Sequence, residues 1–270
     1  MKFDQLTSHA DGKLLTGIIE RVGHVVINNP ERHNAISLAM YRAGAKEVAR
    51  MAADPEARLL VIRGAGGKAF ASGADISKFE TERSSAEDVE TYAQASKAFY
   101  DAVFTFPKPT VAVIQGYCIG GGMGLAVACD LRLCEDKSRF AVPAARLGVG
   151  YGYEGIRRLA NLVGPSMVKE IFFTARQFSA AEAYEMGLVN RVLSPQMLTA
   201  YADDYASRIS ENAPLTIESV KAITQALQLD EADRDLDALD ALVTGCFASE
   251  DYIEGRRAFM EKRKPKFTGS

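Results

Sequence analysis

The sequence predicts an α/β fold of stacked β-β-α units followed by an all-helical segment. Three observations carry this. Two apolar runs of strand length, Arg58–Gly64 and Pro109–Gly116, each end at a glycine and read as buried strands. Each run is followed by a glycine-rich turn and then by a helical pattern. From Gly155 onward almost every segment has helical spacing, interrupted only at Gly or polar turns.

Taken in order, Thr16–Asn28 reads as two short strands turned at Arg21–Gly23. Ser37–Asp54 has apolar residues at helical spacing behind Ser37 as N-cap. After the Arg58–Gly64 strand, Ser85–Pro107 is a helix opened by a capping box of Ser85 and Asp88. The Pro109–Gly116 strand and the turn Gly120–Gly122 lead into a helix ending near Cys129. Asp130–Ala144 holds two short strands. Gly164–Pro165 separates two helices, because a glycine cap followed by proline cannot continue one. The tail holds three or four more helices, the last from about Asp251 to Lys264.

Composition narrows the function. The 270 residues are 47% hydrophobic and 25% charged, as in an ordinary globular domain. A net charge of −3 gives no overall attraction to nucleic acid or to an anionic membrane. No run approaches the ~18 apolar residues of a membrane span, and the polar N-terminus has no signal-peptide core; the expected location is cytoplasmic. The four cysteines form no C-x-x-C pair, and the three histidines have no metal-ligand spacing. No metal is expected; Cys118, Cys129 and Cys134 read as buried reduced thiols. The one basic run, Arg256 to Lys266, is either a solvated helix face or a phosphate contact.

Two glycine-rich turns stand out: "RGAGGKAFASGAD" (Arg63–Asp75) and "GYCIGGGMG" (Gly116–Gly124). Gly67–Lys68 is followed by Ala69, so a P-loop is excluded. Neither turn fits a dinucleotide fingerprint that opens a helix. A helix N-terminus behind glycines still offers unpaired N–H groups and the positive end of a dipole. With no Cβ in the way, a ligand oxygen can reach those donors. The alternative is a tight strand-to-helix packing turn.

The motifs "FASGADI" (Phe70–Ile76), "KPTVAVIQGYCIGGGMGLAVACDLRL" (Lys108–Leu133), "RLGVGYGYEGIRRL" (Arg146–Leu159), "TARQFSAAEAYEMGLVNRVL" (Thr174–Leu193) and "SEDYIEGRRAFMEKRKPKF" (Ser249–Phe267) together resemble the crotonase superfamily, the enoyl-CoA hydratase/isomerase family. The resemblance spans about Thr16 to Phe267. It implies a crotonase (ClpP-like) β-β-α spiral core over residues 1–195 and a C-terminal helical trimerisation segment over 196–270, in a homotrimer or a dimer of trimers. It implies an acyl-CoA thioester as partner, with coenzyme A carried by the substrate and no separate cofactor. The shared chemistry is an enolate whose thioester oxygen is held by two backbone N–H groups, here those of Ala74 and Gly121. Coenzyme A would be received by Ala71, Ser72, Gly73 and Asp75, with Arg32 near its phosphates and the Lys262–Lys266 tail near a neighbouring subunit's ligand. Ile76, Ile119, Gly122, Pro143 and Ala144 complete the implied substrate-binding positions.

The resemblance breaks at two places. Hydratases of the family carry a glutamate at the positions of Gly124 and Ala144, and an aspartate used by other members would fall near Gly152. Each missing acid or base corresponds to roughly 10²–10⁴-fold in rate. Polar residues remain in "GVGYGYEG". Tyr151 matches a tyrosine at the acyl pocket of methylmalonyl-CoA decarboxylase, although that enzyme has a histidine where this chain has Ala74. Tyr151 is therefore a catalytic candidate or a packing residue beneath the pocket; Tyr153 is a further candidate. Glu154 reads as an N-terminal helix charge rather than a base. The reaction is thus that of a family lyase or isomerase, with decarboxylation of a malonyl-type CoA, or acyl-CoA binding with little turnover, as alternatives.

Overall fold

The chain threads back and forth between two sheets in the computed structural model, which describes residues 3–75 and 84–270. The larger sheet has the order β1 (Thr7–His9), β2 (Leu14–Ile19), β3 (Val22–Ile27), β4 (Leu59–Gly64), β6 (Thr110–Ile114), β8 (Leu131–Glu135), β11 (Arg191–Leu193). The smaller has the order β10 (Phe178–Ser179), β9 (Arg139–Ala141), β7 (Tyr117–Ile119), β5 (Ala69–Ala71). Helix α1 (Leu38–Ala53) follows β3. Each successive pair, β4–β5, β6–β7 and β8–β9, gives one strand to each sheet. Helices α2 (Ala86–Phe104), α3 (Gly121–Ala128) and α4 (Ala144–Leu147) with α5 (Tyr153–Thr174) complete the units. This is the expected stack, with a third unit after the two whose strand-turn-helix pattern is plain in sequence.

From β3 to β11 the large sheet is parallel, so its strands are covered on both faces. Leu60, Ile62, Ala112 and Ile114 face the helices of the β-β-α units, while Leu59, Val61, Val111, Val113 and Leu133 pack with Leu198, Ala202 and Ala206 of α7 (Pro195–Glu211). The strand periodicity of two thus feeds two cores.

Helix starts follow their caps. Ser37 accepts from Met40 N, and Ser85 and Asp88 form a reciprocal capping box. Gly164 leaves helical geometry (φ 76°, ψ 159°) just before Pro165 and bends α5 there, as the sequence predicts. The hairpin turn differs from expectation. It lies at Glu20–Arg21, both at positive φ, and Gly23 is inside β3 paired with Ile18. A Cβ on Gly23 would press on Met51 Sδ at 3.1 Å, so this glycine serves helix packing rather than the turn.

After α6 (Ala180–Glu185) and α7, the chain continues through α8 (Pro214–Ala226), α9 (Leu236–Ala248) and α10 (Glu250–Glu261). The last helix stops three residues before the expected Lys264, because Lys262 adopts a left-handed cap (φ 53°). Lys221 of α8 ties the tail to the core through Asp130 (2.8 Å) and the Lys108 carbonyl (2.9 Å). In the basic run, Arg263 holds Glu254 and Glu261, and Lys264 pairs with Glu211. Helix α9 contributes no buried residue and exposes Leu236, Leu242, Val243 and Phe247.

One buried group makes stability depend on pH. His24, on β3, has its Nδ1 buried without a partner among the described residues. Burial, and then the Arg63 guanidinium, pull its pKa from 6.5 down to about 3. The unfolded chain therefore binds a proton near pH 6.5 that the native state refuses until about pH 3. Stability is complete above pH 6.5 and is lost as pH falls through that window, by up to about 1.4 kcal/mol per pH unit. The urea midpoint should drop steadily from pH 6.5 to 4, and His24→Leu should flatten the slope. An unchanged slope in that variant would remove His24 as its source.

Candidate active site

Two loops from different units are brought together at the end of the small sheet. The first, Asn28–Ser37, is locked by its own amides. Asn34, buried at φ 58°, donates through Nδ2 to the carbonyls of Ala65 (2.9 Å) and Ala69 (2.6 Å) and accepts from Asn29 N (2.9 Å). Asn29 Nδ2 donates to the Ala35 carbonyl (2.9 Å). Ser72 N donates to the His33 carbonyl (3.0 Å), which aligns the loop with Ala71–Asp75. Ile36 then pairs with Ala74 as a parallel bridge: Ile36 N donates to Gly73 O (2.8 Å) and Asp75 N to Ile36 O (3.2 Å). In such a bridge the flanking peptides make the bonds, so the N–H of Ala74 itself points to the opposite side.

The glycine turn packs against the same segment at Gly73. Gly120 takes φ 55°, ψ −116° and donates to the Ala141 carbonyl (2.8 Å). The first rung of α3 is Gly124 N to Gly120 O (3.1 Å), so the N–H groups of Gly121 and Gly122 precede the ladder. Gly73, at φ 95°, faces them directly: a Cβ there would lie 3.1 Å from Gly121 N and 3.2 Å from Ile119 O. Gly122 backs onto Ala71, where a Cβ would come within 2.9 Å of the Ala71 methyl and closer still to its carbonyl. Glycines on both sides let two backbones touch.

Tyrosines line the same spot. A Cβ on Gly121 would meet Tyr100 Oη at 2.9 Å and Tyr41 Oη at 3.0 Å. The Tyr100 ring lies over Gly124, 3.4 Å from where a methyl would project. Tyr151 is half-buried, packs edge-on against Phe172 (4.9 Å) and makes no hydrogen bond to a described residue. Burial, and then the nearby Cys118 thiol, push its pKa up to about 12, so it is a neutral phenol at ordinary pH. Burial likewise raises the thiols of Cys118, Cys129 and Cys134, and all three remain free.

The structure therefore brings Ala71, Gly73, Ala74, Asp75, Ile119, Gly121 and Gly122 into one cluster. Pro143 and Ala144 follow β9 as N-cap and first residue of α4, with Ala144 buried. Arg32 reaches the cluster through its carbonyl, which accepts from Ser72 Oγ (3.3 Å); its side chain is exposed. Ile76 lies outside the described residues. Tyr153 is 76% exposed, and Glu154 pairs with Arg157 (2.8 Å) in the first turn of α5. Neither presents a base to the cluster. Sequence reading missed Asn29, Asn34, Tyr41, Tyr92 and Tyr100; the available signals were paired asparagines around "PERH" and phenols on otherwise apolar helix faces.

The profile of the enoyl-CoA hydratase/isomerase family matches residues 17–270. The chain belongs to that family, within the crotonase superfamily. Among enoyl-CoA hydratase/isomerase relatives, a crotonyl-CoA hydratase of Syntrophomonas wolfei is 35% identical over 92% of this chain and 95% of its own length. A carnitinyl-CoA dehydratase of Citrobacter koseri is 37% identical over 80% and 83%. A solved enoyl-CoA hydratase/carnithine racemase from Magnetospirillum magneticum superposes with a TM-score of 0.89 at 34% identity, covering 97% of each chain. Among the described residues of this family member, no helix is long and apolar enough to cross a membrane.

The glycines predict contrasting variants. Gly122→Ala drives a methyl into Ala71 and should lower the melting temperature sharply or prevent folding. Gly124→Ala meets the Tyr100 ring at ordinary contact distance and removes a helix-interior glycine, gaining about 0.5–1 kcal/mol. Thermal melts of both variants check this; a Gly124→Ala protein less stable than the wild type would show that the Tyr100 ring cannot yield.

Proposed function

We propose that this family member binds an acyl-CoA thioester and stabilises its enolate between the N–H groups of Ala74 and Gly121. The observation that supports this is the close approach of Gly73 to the start of α3, where a Cβ would lie 3.1 Å from Gly121 N, next to an Ala74 N–H that the Ile36 bridge leaves unused. Each donor aimed at a developing oxyanion contributes roughly 2.7–4 kcal/mol to a transition state. Arg32, Ala71, Gly73 and Asp75 would receive coenzyme A, and Ile119, Gly122, Pro143 and Ala144 the acyl part. No cofactor beyond coenzyme A is required. The exposed apolar face of α9 supports a homotrimer or a dimer of trimers, and a cytoplasmic location suits the substrate.

Decarboxylation of a malonyl-type CoA is the reaction favoured by the surroundings of Gly124 and Ala144. Neither position carries a carboxylate, Tyr100 covers the first, and Glu154 is held by Arg157. In decarboxylation the bond between carboxylate and α-carbon breaks and its electron pair moves into the thioester to form the enolate. Carbon dioxide leaves, and a proton then returns to the α-carbon. No enzyme base is needed, and the loss of two glutamates removes repulsion against an anionic acyl group. Tyr151, neutral up to about pH 12, can donate a hydrogen bond to that carboxylate.

Crotonyl-CoA hydration and methylmalonyl-CoA decarboxylation measured side by side test the reading. Turnover of the malonyl-type ester, with hydration slower by at least about 10² than in a two-glutamate enzyme, is the expected result. Binding of both esters with no turnover of either would make this an acyl-CoA binding protein instead. Tyr151→Phe should lower kcat/KM for the malonyl-type ester about tenfold; an unchanged kcat/KM would remove Tyr151 from the mechanism.

A further inference from the structure

Three buried or half-buried phenols run behind the two backbone donors. Tyr92, on α2, donates to the Ile36 carbonyl at 2.7 Å. That carbonyl also accepts Asp75 N and so forms one side of the bridge that aims Ala74. Tyr100, eight residues further along α2 and about 12 Å along its axis, donates to the Gly121 carbonyl at 3.0 Å. Tyr41, one turn into the helix that Ile36 leads into, joins the two. Its hydroxyl is 2.9 Å from that of Tyr100, and its ring stands edge-on to both Tyr92 (5.4 Å) and Tyr100 (5.7 Å). Gly44 lets α1 close on α2, because a Cβ there would lie 2.7 Å from the Phe99 ring.

We infer that Tyr41, Tyr92 and Tyr100 form a strut that fixes the Ala74 and Gly121 peptides relative to each other, so that both N–H groups meet one oxygen. The inference rests on the enolate reading above. The three are positioning residues: each acts through a carbonyl or another phenol. The strut is needed because the donors come from different β-β-α units, and the glycines that let them touch supply no side chain to hold them. Burial keeps Tyr41 in its neutral form, so the hydroxyl network carries no charge that would compete with the oxyanion. In a preorganised site a displacement of about 1 Å can cost as much as 10²-fold in rate.

The test uses acetyl-CoA carrying ¹³C at the thioester carbonyl, bound to the whole protein and read by isotope-edited infrared difference spectroscopy. In the wild type the carbonyl band should move to lower frequency on binding, as two hydrogen bonds polarise it. Tyr92→Phe and Tyr100→Phe retain the rings and remove only the hydroxyls. Each should broaden the band and return it part-way toward the free value, with Kd for acetyl-CoA within about threefold and turnover of methylmalonyl-CoA lowered by between two- and tenfold. Tyr201→Phe, on α7, is the control and should leave the band in place. A role in stability alone would lower the melting temperature without moving the band. A wild-type band in both variants overturns the strut while leaving the enolate reading intact. No displacement in the wild type overturns the enolate reading, and the strut with it. If one variant does not fold, the band position in the other decides between these outcomes.

Discussion

Everything at the site depends on two stretches of backbone approaching without side chains between them. Gly73 presses on the first peptide of α3, and Gly122 presses on Ala71. At protein packing density such an approach leaves no room for a methyl. The seam thus fixes residue identity at its own positions, and the rest of the structure holds the two sides in place. The small sheet carries one side after β5 and the other after β7, as neighbouring parallel strands. The asparagine pair fastens the Asn28–Ser37 loop to the first side, and the phenols of α1 and α2 brace both.

The arrangement concentrates electrophilic character without a charged side chain. Helix α3 is eight residues long and apolar, and no acidic side chain stands in its first turn to oppose the positive end of its dipole. At its other end the buried guanidinium of Arg132 takes up the carbonyls of Cys129 (2.6 Å), Ala126 (3.4 Å) and Leu188 (2.6 Å). A cation at the C-terminal end and bare N–H groups at the N-terminal end both suit the helix dipole.

Much of this was legible in the sequence, for local reasons. The buried strands are continuous apolar runs, and α1 and α2 begin at serines that cap them. The glycine turn announces backbone donors because side-chain chemistry is absent from it. What was not legible depends on distant partners. Asn34 reaches Ala69 across 35 residues and Tyr100 reaches Tyr41 across 59, so neither pairing leaves a local pattern. The hairpin turn was misplaced for the opposite reason. Glu20–Arg21 lacks turn residues yet takes positive φ, while Gly23 looks like a turn and serves helix packing. Gly124, which reads first as a defect in a helix, is the position that the Tyr100 ring covers.

A crystal structure of the protein with a bound acyl-CoA would test the central claim most directly. The thioester oxygen should lie within about 3 Å of both Ala74 N and Gly121 N. A thioester oxygen that meets only one of these groups, or turns toward a side chain, would contradict it.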